Sequence, residues 1–185
     1  DKTWLDLPWY FAESYFYRRL LEAVQYFQHE PSDTRDPFLV LKEQQLSESI
    51  IPLCLATDAL RKIECSQSSF ENLLHASLWG NRVDLSNFTV TEDVRRRQGM
   101  VERENLLIDD SLRVLKVFQE HPPSQLAFIN DNVGVELGFD LCLAEFLLRN
   151  EWSERIFFYL KPWPFFVSDA MPKDLLRTVR VFAEA

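Results

Sequence analysis

The stretch Gln125-Leu126-Ala127-Phe128-Ile129-Asn130-Asp131-Asn132-Val133-Gly134-Val135-Glu136 constrains the fold more than any other part of this chain. Leu126 to Ile129 is an apolar run of strand length, and it stops abruptly at oxygen-bearing side chains. The run from Val133 to about Arg149 is apolar nearly all round, through Val135, Leu137, Phe139, Leu141, Leu143, Phe146 and Leu147. That is the pattern of a helix buried between layers. Arg155 to Leu160 reads as a second buried strand. The three together predict a β-α-β unit with a right-handed crossover, and hence an α/β fold. In open α/β sheets, ligands sit where strands end and helices begin.

A further apolar run, Phe165-Phe166-Val167, follows the interruption Lys161-Pro162-Trp163-Pro164 and ends in Ser168 and Asp169. Two apolar runs thus each deliver an aspartate at their C-terminal end, and the crossover brings both ends to one sheet edge. Asp131, Asn132 and Asp169 offer carboxylate and amide oxygens, which suit a hard cation such as Mg²⁺ or Mn²⁺. The competing reading is ordinary helix capping by Asp131 or Asn132. Glu136 follows Asn132 by four residues and Asp140 follows Glu136 by four, so they share one helix face. Glu136, in the first turn, points back toward the strand end. Asp140 reads as a buried, hydrogen-bonded structural acid.

Upstream, the chain is mainly helical. Residues 8–29 predict a helix with Pro8 in its first turn and an aromatic core face of Trp9, Phe11, Phe16 and Phe27. Glu13, Arg18 and Arg19 among these aromatics are candidate pocket walls. Pro31 to Pro37 is a loop, and Phe38 to Lys62 predicts one or two helices with Pro52 as a break or kink. Ser69 is expected to cap a brief helix from Phe70 to Leu78. Leu78 to Ser86 then reads either as a helix end with Gly80 as the stop or as a loop placing Asn81, Arg82 and Asp84 near a polar ligand. Arg95, Arg96 and Arg97 read as a solvated face. Val101 to Glu120 predicts a helix with Leu106, Leu107, Leu112, Leu115 and Phe118 facing inward. Adjacent Asp109 and Asp110 point about 100° apart on such a helix, which does not suit a shared metal. The division expected is a helical part over 1–120 and the start of an α/β core over 121–185.

The net charge of −9 argues against nucleic acid as the main partner, since phosphate binding needs a basic surface. A small phosphate stays open to an acidic protein where a metal supplies local positive charge. Cys54, Cys65 and Cys142 form no Cys-x-x-Cys pair, which favours a reducing cytosol or nucleus. No run has the length of a membrane span, and the N-terminus has no signal-peptide pattern. With glycines only at 80, 99, 134 and 138, neither a glycine-rich phosphate loop nor a Gly-x-Ser-x-Gly elbow can be written. His29, His75 and His121 lack metal-ligand spacing and are expected at the surface. The Asp-x-Asp of an aspartyl-phosphate mechanism is replaced by Asp131-Asn132-Val133.

Asp131-Asn132-Val133-Gly134-Val135-Glu136 resembles the Asp-Asn-Ala-Gly-Phe-Glu motif of the damage-control phosphatases, formerly domain of unknown function 89. It is most similar to the subfamily that includes acidic residue methyltransferase 1 and sugar phosphate phosphatase. Further matches follow in family order: Leu5 to Glu13, Tyr17-Arg18-Arg19, Asp36-Pro37-Phe38, Leu78 to Ser86, Lys161, and Pro164 to Asp169. The resemblance implies a three-layer α/β/α, Rossmann-like core with an N-terminal helical subdomain. It implies a metal-dependent phosphatase acting on small phosphorylated metabolites, typically sugar phosphates such as fructose 1-phosphate and fructose 6-phosphate. It implies a divalent metal (Mn²⁺, Mg²⁺, Co²⁺ or Ni²⁺) held by Asp131, Asn132 and Asp169, with Glu136 contacting substrate. Asn81, Arg82 and Lys161 are further candidate substrate contacts, the two cations offsetting phosphate charge.

The family continues beyond the position of Asp169, with a Phe-Lys-Gly-Asp-type segment and an Arg-Thr-x-Lys motif, whereas this sequence stops at Ala185. Arg177-Thr178-Val179-Arg180 lies in the wrong place for that motif and reads as part of an amphipathic helix. The expectation is therefore a core incomplete at its C-terminus. Two alternatives accompany the phosphatase reading: a truncated, non-catalytic interaction domain, and an S-adenosylmethionine-dependent protein carboxyl methyltransferase.

Overall fold

The computed structural model describes residues 3–28, 36–61, 66–79 and 106–184. The architecture is mixed α/β, mostly helical with a small parallel sheet. Its helices are α1 (Trp9–Ala23), α2 (Leu39–Arg61), α3 (Gln67–Leu78), α4 (Ser111–Glu120), α5 (Val135–Arg149) and α6 (Pro172–Glu184). The strands β1 (Gln125–Ile129) and β2 (Arg155–Tyr159) flank α5 in sequence and pair in parallel, Gln125 opposite Arg155 through Ile129 opposite Tyr159. This is the β-α-β unit expected from the opening stretch.

Both strands alternate, rather than being covered on both faces. Leu126, Phe128 and Ile156 pack inward, whereas Ile129 and Tyr159 face outward. A side-chain period of two forces this split wherever helices cover one face only. The inner face meets Phe70 and Leu73 of α3, Leu115 and Phe118 of α4, and Leu143, Phe146 and Leu147 of α5. Trp152 closes this cluster, stacking on Phe118 at 6.0 Å and meeting Phe146 edge-on at 5.6 Å. Each fully buried Leu or Phe stabilises by about 1.5–3 kcal/mol. The cluster therefore fixes α5, and with it the end of β1.

Two glycines set the path of α5. Gly134 sits at its N-cap with φ of 78° and ψ of −132°, a conformation that L side chains rarely adopt. The helix therefore starts at Val135 instead of Val133. At Gly138 a Cβ would lie 2.3 Å from Leu53 Cδ1, so α2 and α5 touch where no side chain intervenes.

Several expectations are corrected. The predicted 8–29 helix is α1 plus a 3₁₀ turn at Tyr26–Gln28, separated by Gln25 at φ of 55°. Its aromatic face is not core: Trp9, Phe11, Phe16 and Phe27 are exposed, and only Leu21 of α1 is buried. These rings pack partly on one another, as in the Phe11–Tyr15 stack. Position 52 does not end a helix, since α2 runs through it. Helix α3 begins at Gln67 and is capped by Ser66, which accepts from the Ser69 amide at 3.2 Å; Ser69 itself is buried. Of the predicted 101–120 helix, residues 106–110 are not helical and α4 starts at Ser111, while 101–105 lie outside the described residues. The Asp109 carboxylate accepts from the Ser111 amide, and Asp110 holds the N-cap position without a side-chain cap hydrogen bond, so both acids precede the helix. Leu107 and Leu112 are accordingly exposed, while Leu115 and Phe118 are buried. His75 is buried, with Nε2 3.6 Å from Asp109, because α3 lies between α4 and α5. Asn81, Arg82, Asp84 and the Arg95–Arg97 triplet lie outside the described residues.

Candidate functional site

The backbone beyond β1 and the loop after β2 meet as a short antiparallel bridge between Asn132 and Asp169. The Val133 amide donates to the Ser168 carbonyl at 2.8 Å, and the Ala170 amide donates to the Asp131 carbonyl at 2.9 Å. Lys161 joins through its amide to the Ala170 carbonyl, also at 2.9 Å. Asp131, Asn132, Lys161 and Asp169 are thus brought together by peptide hydrogen bonds. Asp169 arrives by a route other than the one expected. Phe165-Phe166-Val167 is a turn, not a strand. Pro162 and Pro164 lack the N–H groups that a ladder requires, and the chain folds back at this point.

The two aspartates occupy different environments. The Asp169 carboxylate is 2% exposed and that of Asp131 67% exposed. Asp169 Oδ2 accepts from the Phe166 amide at 2.9 Å, and Oδ1 accepts from Lys161 Nζ at 3.3 Å. Lys161 Nζ also donates to Asp131 Oδ1 and, at 3.1 Å, to the Asp131 carbonyl. One ammonium therefore sits between two carboxylates. Partial burial pulls the Lys161 pKa down, but the Asp131 hydrogen bond and the charges of Asp169 and Asp131 outweigh it and hold the group above its ordinary value.

Asn132 and Glu136 form the adjoining part. Glu136 accepts from the Asn132 amide at 3.2 Å and from its side-chain Nδ2 at 3.1 Å, so it points back to the strand end as its spacing implied. Asn132 Nδ2 also lies 3.2 Å from Asp131 Oδ2, and Asn132 Oδ1 accepts from Ser168 Oγ at 2.7 Å. This ring of contacts orients the amide oxygen toward Ser168.

Two buried polar groups lie behind the site, Lys42 and Asn130, of which the sequence marks only Asn130, at the strand end. Lys42, 3% exposed, contacts Asp36 at 2.8 Å and Asp174 at 3.0 Å, and donates to the Asp169 carbonyl at 2.6 Å. It ties α2 and α6 to the site loop. The signal was its spacing: Lys42 lies midway between Phe38 and Leu46, both buried on the same helix face. Asn130 is also buried, donating through Nδ2 to Asp140 at 2.7 Å, while Asp140 accepts a further hydrogen bond from Ser77. Asp140 is therefore the structural acid expected. Burial raises its pKa; the Ser77 and Asn130 hydrogen bonds oppose that shift, and the Glu136 charge adds to it.

Among the described residues, no group of three or more His, Cys, Asp and Glu converges as a metal cluster. The donors here are two carboxylates that share one cation and, beside them, an amide whose oxygen accepts from Ser168, all oxygen. The ammonium between the carboxylates marks a position that favours a cation, so the set fits a hard divalent ion. Asn81 and Arg82 lie outside the described residues. Among those described, no helix is long and apolar enough to cross a membrane.

Comparison with known proteins adds a lineage. The family model described as "Damage-control phosphatase ARMT1-like domain" matches residues 2–185. The chain is 33% identical over 192 residues to the protein named "Damage-control phosphatase ARMT1" of Bos taurus, an alignment covering 92% of this chain and 43% of that protein. It is 36% identical over 200 residues to its Homo sapiens counterpart, with the same coverages. The chain thus spans less than half the length of these relatives. A crystal structure of a DUF89 family protein from Pyrococcus horikoshii superimposes with a TM-score of 0.59 at 25% identity, covering 91% of this chain and 52% of that one.

Proposed function

This chain belongs to the ARMT1-like damage-control phosphatase domain family, and from that premise we propose that it is the metal-binding part of a phosphatase acting on small phosphorylated metabolites. Sugar phosphates such as fructose 1-phosphate or fructose 6-phosphate are the substrates proposed. The observation that carries this reading is the meeting of Asp131 and Asp169 on one cation at the C-terminal end of a parallel strand. In the same proposal, a three-layer core begins near residue 121 behind the helical part over 1–120, and the protein works in the cytoplasm, with the nucleus as a second location.

Asp131, Asn132 and Asp169 would hold the divalent ion, Mn²⁺, Mg²⁺, Co²⁺ or Ni²⁺. Such an ion supplies neutralisation of phosphoryl oxygens and a lowered pKa for bound water. The chain's own residues supply placement and charge. Glu136 fixes Asn132 through its peptide and side-chain nitrogens and is proposed to reach substrate. Asn132 is neutral, so it adds a donor oxygen without adding repulsion toward phosphate. Lys161, partly exposed beside both carboxylates, and Arg82 are proposed to offset phosphate charge, with Asn81 as a further polar contact.

The test is phosphate release from the two fructose phosphates with added Mn²⁺ or Co²⁺, on this chain and on any longer natural form. Release is expected to disappear with chelator and in Asp131→Ala. Undiminished release under either condition overturns the reading. Release by the longer form alone identifies this chain as an incomplete catalytic domain. The exposed rings of α1 favour one alternative, a non-catalytic interaction domain. Self-association by light scattering, without metal-dependent phosphate release from either form, would support it. The carboxyl methyltransferase alternative predicts S-adenosylmethionine binding by calorimetry.

A further inference from the structure

We propose that Lys161 is a resident cation of the Asp131–Asp169 pair, holding the place a divalent ion would take and so setting how tightly that ion binds. The inference rests on the metal reading given above and concerns what this chain does toward the metal.

Three observations carry it. First, the Lys161 ammonium has three acceptors, Asp131 Oδ1, the Asp131 carbonyl and Asp169 Oδ1, all oxygens of proposed ligand residues. Second, its backbone is fixed: the Lys161 amide donates to Ala170, whose own amide donates to Asp131. The lysine belongs to the same peptide bridge as the aspartates and is not a long side chain that happens to fall across them. Third, the Asp169 carboxylate is nearly fully buried, and a buried carboxylate without a nearby cation is strongly disfavoured. The other buried lysine of this region, Lys42, reaches the Asp169 carbonyl and spends its charge on Asp36 and Asp174. Lys161 is thus the described cation in contact with the Asp169 carboxylate.

Charge counting gives the consequence. Two carboxylates and one ammonium leave the cluster at −1. A dication that takes the ammonium's place between the carboxylates raises it to +1 while Lys161 stays nearby, a balance suited to a phosphate dianion. The ammonium therefore opposes metal entry and afterwards contributes to anion binding.

The experiment is calorimetric titration of Mn²⁺ into the full chain and into Lys161→Met, with thermal melts of both in chelator. The variant is expected to bind Mn²⁺ more tightly, on the order of tenfold, because no ammonium competes for the carboxylates. It is expected to melt lower in chelator and to recover when Asp131→Asn removes one of the two facing charges. A lysine that only shaped the loop would give the opposite sign, weaker Mn²⁺ binding after its removal. A lysine that met only phosphate would leave Mn²⁺ affinity unchanged. Either result overturns the inference alone, because Mn²⁺ still binds. No Mn²⁺ binding to either protein overturns the inference and the metal reading together. Lys161→Arg, which keeps the charge, is the second variant and covers the case in which the methionine fails to fold. It is expected to hold Mn²⁺ affinity at or below that of the unmodified chain, and a tenfold gain there overturns the proposal.

Discussion

Asn130 and Asp140 are joined by a 2.7 Å hydrogen bond across one helical turn and a strand end, both side chains being buried. The raised pKa of Asp140 makes this pair a stability switch. The folded chain binds the Asp140 proton more tightly than the unfolded chain does. Stability from this group is therefore full below the ordinary value of 3.8 and declines as pH rises from there through the raised folded value. Asp140→Asn is expected to flatten that decline. Thermal midpoints of the two proteins measured from pH 3.5 upward should converge at the acid end and separate above it. Parallel curves would show that Asp140 does not carry the effect.

Lys42 tests how the site loop is held. Lys42→Met removes the ammonium between Asp36 and Asp174 and leaves Asp36 with Lys173 at 3.9 Å, and breaking a buried pair in this way costs about 3–5 kcal/mol. Urea denaturation should show a loss of that size. A loss below about 1 kcal/mol, the range of exposed pairs, would mean that the cluster is solvated.

Glu136 tests the placement of Asn132. Glu136→Gln keeps one accepting oxygen but removes the charge that takes both Asn132 nitrogens. Under the metal reading, Mn²⁺ affinity is expected to fall by about 10–100-fold, the usual effect of losing a group that orients a ligand. Unchanged affinity with impaired phosphate release would instead assign Glu136 to substrate alone.

The two glycines of α5 separate backbone from packing effects. Gly134→Ala forces an L residue into a left-handed conformation, at about 1–3 kcal/mol. Gly138→Ala drives a methyl into Leu53, also at about 1–3 kcal/mol. Adding Leu53→Ala should relieve the second clash and leave the first untouched. Denaturant melts of the two double variants should therefore be sub-additive only for Gly138 with Leu53.

The β1-α5-β2 unit is legible because two short apolar runs bracket one long run that is apolar nearly all round, and because the strand end carries its polar residues in sequence. The four-residue spacing of Asn132 and Glu136 anticipates their contact, although Asn132 precedes α5. The approach of Asp131 to Asp169 was also legible, although its route was not. Apolar Phe165-Phe166-Val167 looks like a strand unless Pro162 and Pro164 are weighed first. The start of α4 is not legible in the apolar spacing, because Asp109 and Asp110 precede the helix and the Asp109 carboxylate takes the Ser111 amide. The exposed rings of α1 could not be foreseen from periodicity, which says that a face is apolar and not what covers it. Lys42 was hidden by distance: its partner Asp174 is 132 residues away, and a lone lysine in a helix ordinarily faces water.

The bridge between Asn132 and Asp169 has a consequence for how such a protein can change over time. The spacing of Asp131, Asn132, Lys161 and Asp169 is set by main-chain hydrogen bonds that most side chains would satisfy equally well. Substitutions in the Phe70–Phe146 cluster can erode folding free energy while this spacing persists in every molecule that remains folded. Conversely, these four side chains can be exchanged while the peptide frame beneath them survives. A lineage built this way can lose its chemistry and keep its shape, or keep its chemistry while its hydrophobic interior drifts.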